Sequence, residues 1–154
     1  MVPTTSTART DLEEPDLAAA ASVFTEHLGW PVSFDVARKR LVVRTGDLFD
    51  ALRLRQPLAE PVALDLASHL MTGPVCIDSH GWWTFITEPC QRHTMDLPHD
   101  LRAHRVHAVP SGGELVLPPV AATASWWQQP EPDRQPPPWT AVVAIARQVL
   151  NRGR

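Results

Sequence analysis

Tyrosine is absent from this 154-residue chain, and lysine occurs once, as Lys39. Cysteine is scarce as well. Cys76 and Cys90 are too few to staple a small fold, so stability has to come from a packed core. No stretch approaches the ~18 consecutive apolar residues of a membrane span, and no membrane partner is expected. The opening MVPTTSTARTDLEEPDL has no basic segment followed by an apolar one, so no secretory signal is read and a cytoplasmic setting is expected. The net charge of −3 argues against broad binding to a phosphate backbone, which needs many cations at once. The basic side chains are nearly all arginine, which keeps bidentate recognition of an anion within reach.

What the chain has in excess is proline, sixteen residues, and tryptophan, six. The prolines concentrate in PEPDRQPPP at 130–138 and divide the chain. Four segments follow from this: a flexible arm over 1–14, an α/β domain over 15–128, a stiff extended connector over 129–138, and an amphipathic helix over 139–154. One domain of this size buries about two-thirds of its unfolded surface.

Within the domain, Leu17, Ala20, Ala21, Phe24 and Leu28 recur at helical spacing from Pro15 to Gly29. Strands are predicted at Trp30–Phe34, Arg40–Val43 and Leu48–Leu54. Pro61 opens a second helix, which Gly73 closes. The segments 74–77 and 82–86 flank Asp78-Ser79-His80-Gly81 as a hairpin, and 105–109 and 114–117 flank Pro110-Ser111-Gly112-Gly113 as another. One helical turn is expected near Asp100–His104. Trp139, Val142, Val143, Ala146 and Leu150 define the apolar face of the last helix. The expected class is α/β (α+β), a mixed, largely antiparallel sheet with flanking helices.

Three segments, GWPVSF, LVVRTGDLFDALRLR and VPSGGELVLPP, resemble in order and spacing the N-terminal Prim-Pol domain of bifunctional DNA primase/polymerases. They resemble its small stand-alone relatives more closely, across most of residues 18–127. The resemblance implies a Prim-Pol/RRM-like core. It also implies two-metal nucleotidyl transfer, with carboxylates holding the ions. In that family the ligands come as a D-x-D/E at a strand end, an S-x-H on a later strand, and an Asp ahead of the glycine pair. Here the first pair falls on Arg53 and Arg55, the histidine on Trp82, and the last Asp on His107. Guanidinium groups repel Mg²⁺. No D-x-D or D-x-E occurs anywhere in 36–76, and Asp50 lies on the strand face opposite Arg53.

The resemblance therefore implies a catalytically inactive Prim-Pol-like domain without cofactor, acting as a protein-binding or regulatory module that also self-associates. A second reading is a nucleic-acid or nucleotide-binding protein, with Arg53, Arg55 and exposed tryptophans replacing metal-mediated contacts. Trp82 and Trp83 are adjacent on a strand, so one enters the core and the other faces away. Arg53, Arg55, Trp82, Trp83 and His107 are the candidate ligand contacts. A third reading is a metal enzyme using Cys90, His93, His104 and His107, whose spacing suits zinc. Against it, no CxxC knuckle is present, and on a strand His104 and His107 point to opposite faces.

Overall fold

The computed structural model describes residues 14–90, 96–118 and 126–153. Helix α1 spans Glu14–Ser22 and continues as a π turn over Val23–Leu28. Gly29 stops it at φ 71°, its N–H bonding to the Phe24 carbonyl. The Thr25 hydroxyl donates to the carbonyls of Ala21 and Ser22, serving acceptors in this widened turn.

The described strands form two sheets rather than the single sheet expected, and every pairing is antiparallel. The smaller has the order β1 (Ser33–Asp35), β2 (Arg40–Arg44), β7 (Glu114–Leu117). The larger has the order β6 (His107–Ala108), β3 (Asp50–Arg55), β5 (Trp82–Thr87), β4 (Val75–Ile77), β8 (Trp126–Gln128). The class is α+β. The first strand is shorter than the alternation of 30–34 predicts. The segments 105–109 and 114–117 are not hairpin partners: β6 pairs with β3, β7 pairs with β2, and the turn between them crosses from one sheet to the other. Local alternation reveals a strand but not its neighbour.

Helix α2 runs Gln56–Ser68, so it begins five residues before Pro61, which lies inside it. Pro57 occupies the first turn, and Gln56 N–H is served by the Gly81 carbonyl. The helix closes with Met71 N–H on the Leu66 carbonyl and Leu70 N–H on that of Ala67, around Leu70 at φ 59°. Leucine thus holds the left-handed position that Gly73 was expected to supply. Gly73 has a different role. A Cβ there would meet the ring of Pro137, so its bareness lets the proline segment cross. Short α3 (His99–Ala103) precedes β6.

The proline segment is not uniformly extended. Pro132 and Asp133 occupy a turn closed by Arg134 N–H on the Glu131 carbonyl, with proline at the favoured second position. Beyond it the Pro137 carbonyl accepts from Glu88 N–H, and α4 (Trp139–Arg152) begins. Trp139, Val142, Ile145 and Ala146 are buried in one cluster with Val62 and Leu66 of α2 and Leu52, Leu54 and Trp83 of the large sheet. The opposite sheet face contributes Ala51, Cys76 and Ile86 to a second cluster with Phe24, Leu41, Val43 and Leu115. Phe24 stacks on Trp30 there at 5.5 Å between ring centroids, and Trp30 packs tilted against Phe49 at 4.9 Å.

Among the described residues no helix is long and apolar enough to cross a membrane.

Burying the four side chains of α4 contributes on the order of 5 kcal/mol, comparable to the whole stability of such a domain. Truncation after Pro130 is therefore expected to give a chain that aggregates or lacks a cooperative melt by circular dichroism. A soluble truncated monomer with an unchanged Tm would contradict this.

Candidate functional site

Alternation along the strands sorts the second face of the large sheet into three transverse rows. The innermost holds Ala51, opposite Ile86, with Val109 N–H bonded to the Ala51 carbonyl; all three are buried beneath the small sheet. The middle row runs Cys76, Thr84, Arg53, His107 across β4, β5, β3 and β6. The outer row pairs Trp82 with Arg55. Burial falls toward the outer row: among the described residues the cluster under the small sheet takes in all of the first row and, from the second, Cys76.

The middle row floors a cleft of ≈ 790 Å³. One wall is Glu114–Pro118, five consecutive residues, which means that the cleft follows the edge of β7 rather than its face. Asp78 and His80 also line it. Cys76 is buried at this floor. Loss of hydration pushes its thiol up to about 11, against a smaller opposing effect of its hydrogen bond with Thr84.

The rim is a cation–aromatic cluster. The guanidinium carbons of Arg53 and Arg55 each lie 5.0 Å from the centre of the Trp82 ring. The His107 ring centroid is 5.3 Å from that of Trp82, at 48°. Arg53 also donates to Asp78 Oδ2 at 2.9 Å. Arg55 has no carboxylate within ion-pair distance among the described residues. Arg40, on the cleft wall, is held by Asp35 at 3.3 Å and Glu114 at 4.0 Å.

Four of the five residues singled out from sequence thus meet: Arg53, Arg55, Trp82 and His107. Trp83 does not join them. It is buried on the opposite face against Trp127, 5.9 Å between ring centroids, and cannot contact a ligand at the cleft. Its Nε1 has no hydrogen-bond partner among the described residues. Asp50 is likewise buried and accepts from Cys90 N–H at 2.8 Å.

Of the zinc candidates, His104 and His107 stand on different elements. His104 caps α3, its Nδ1 3.0 Å from the Asp100 carbonyl, whereas His107 stands on β6, and His93 lies outside the described residues. Among the described residues no group of three or more His, Cys, Asp or Glu is arranged to hold a metal ion.

Sequence reasoning missed Thr84, Asp78 and the β7 edge. Asp78 had a legible signal, an Asp opening a four-residue turn that ends in glycine. Thr84 and β7 become site residues only through pairings distant in sequence.

No family model matches the chain, and neither curated proteins nor solved structures give a match.

Because the Cys76 thiol is raised from 9.0 to about 11 in the fold, ionisation favours the unfolded chain between those values. Stability should therefore fall as pH rises through 9 to 11, by roughly 2–3 kcal/mol from this residue. Urea denaturation at pH 8 and at high pH should show this component, and Cys76→Ala should lack it. An alkaline loss identical in the variant would contradict the assignment.

Proposed function

We propose that this chain is a catalytically inactive Prim-Pol-like module whose sheet-face rim binds an anionic, planar ligand, with a nucleotide as the type. The observation that carries the reading is the convergence of Arg53, Arg55, Trp82 and His107 on one patch beside a cleft. These are the positions where the resemblance places metal-binding carboxylates and an active-site histidine. Carboxylates there would assemble cations; guanidinium groups attract the phosphate directly. The indole offers a stacking surface for a base.

Charge selects a small ligand over a polyanion. Asp78 offsets Arg53, and Asp35 and Glu114 offset Arg40, so among the described residues Arg55 is the arginine of this group that no carboxylate offsets. One spare cation suits one or two phosphates, whereas a strand of nucleic acid calls for a longer basic track. A cytoplasmic setting accords with this ligand class.

A second reading, a protein-binding or regulatory module, is favoured by the β7 edge. Val116 is 48% exposed there, on a strand that has one paired neighbour among the described residues.

The test is calorimetric titration with ADP, paired with a primer-extension assay. ADP is expected to bind, and Trp82→Ala to lose about 1–3 kcal/mol of affinity. Arg55→Gln should weaken binding and flatten its salt dependence. No nucleotide incorporation is expected with Mg²⁺ or Mn²⁺. Absence of ADP binding, or equal binding by Trp82→Ala, would overturn the reading. So would template-dependent extension that disappears on mutating Asp47 or Asp50, the carboxylates nearest Arg53 in the sequence.

A further inference from the structure

The turn between β4 and β5 is organised by one carboxylate with two separate tasks. Asp78 Oδ1 accepts from the backbone N–H groups of His80 and Trp82 at 2.8 and 3.0 Å. Asp78 N–H in turn bonds to the Trp82 carbonyl at 2.9 Å, and Gly81 takes φ 86°, which a side chain would resist. These bonds set where Trp82 enters β5. The second oxygen, Oδ2, holds the Arg53 guanidinium at 2.9 Å. One side chain therefore fixes the aromatic ring and restrains one of the two arginines beside it.

We propose that Asp78 is a positioning residue that also serves as an internal stand-in for the ligand's anion: it occupies Arg53 while the site is empty and yields it on binding. The ligand-dependent half of this inference rests on the nucleotide reading above; the restraint on Arg53 does not.

The chemistry of the pair permits the exchange. Its side chains are 39% and 40% exposed, so water and salt screen it and breaking it costs little. A phosphate offers more charge than a carboxylate and takes the guanidinium fork with two parallel bonds. Arg53 lies on the cleft floor and against Trp82 at once, so the freed guanidinium stays within the site. The held state also lowers the positive potential of the empty rim, which disfavours loose capture of any passing anion.

Asp78→Asn separates the two tasks. Asparagine keeps an oxygen acceptor for the turn and removes the charge that holds Arg53. Two readouts apply. Modification of Arg53 by phenylglyoxal, followed by mass spectrometry, reports the restraint without any ligand. ADP titration of wild type, Asp78→Asn, Arg53→Gln and the double variant reports the exchange.

Asp78→Asn should retain the wild-type Tm, expose Arg53 to faster modification, and bind ADP about two- to fivefold more tightly. Arg53→Gln should abolish that gain in the double variant. In the wild type, modification of Arg53 should also quicken as NaCl rises from about 0.05 to about 0.5 M, because salt screens the pair. This second measurement serves if the asparagine variant fails to fold.

Arg53 reactivity unaffected by both the substitution and salt would overturn the restraint. ADP affinity unchanged or weakened in Asp78→Asn, with Arg53→Gln still weakening it, would overturn the stand-in role and leave the nucleotide reading intact. Faster modification with no ADP binding in any form would retain the restraint and remove the nucleotide.

Discussion

The site depends on a mismatch of sheet sizes. A five-stranded sheet needs both faces covered or solvated, and here one face is sealed by α2 and α4. Among the described residues, the other face receives the three-stranded sheet and the aromatic cluster around Phe24, which together cover the row of Ala51, Ile86 and Val109 and, at one end of the next row, Cys76. Each strand continues beyond that cover. The next residues on the same face, two positions along each strand, must therefore be polar or amphipathic, and they become a cleft floor and then a rim. Neither sheet makes the site alone: the floor comes from the large one and the long wall from the edge of β7.

The same geometry shapes the electrostatics. Arg53 stands half in the cleft and half against Trp82, with Asp78 as its counter-ion. Arg55, one row farther out, has the Trp82 face and solvent around it. The two arginines are equivalent in sequence, two residues apart on one strand, but not in restraint. Cys76 lies at the closed end of the middle row, where burial keeps the thiol protonated, so it reads as part of the floor rather than a nucleophile.

Much of this was legible from residues alone, for local reasons. Alternation in DALRLR puts Arg53 and Arg55 on one face, and the adjacency of Trp82 and Trp83 puts one indole on each side. The apolar stripe of α4 is a single 3.6-residue pattern and needs no partner to be seen. The failures share another cause. The start of α2 was hidden because Pro61 resembles a first-turn proline, whereas tertiary packing of Ala59 and Val62 outweighs its missing donor. Its end was hidden because leucine occupies the left-handed position usually held by glycine. The division into two sheets could not be read, since β6 and β7 are close in sequence yet pair with β3 and β2. Thr84 and the β7 wall belong to the site only through such long-range pairing.

On the proposed nucleotide reading, the end of this sheet face left uncovered among the described residues, centred on Trp82, is the ligand surface, and the other five tryptophans are structural or remote. The chain has six indole N–H groups, each giving one cross-peak in a nitrogen–proton correlation spectrum. The Trp82 peak can be assigned by its loss in Trp82→Phe. On titration with ADP, that peak is expected to shift progressively to saturation, while those of the buried Trp83, Trp126 and Trp139 stay in place. A saturable shift at the buried indoles with Trp82 unmoved would contradict the account.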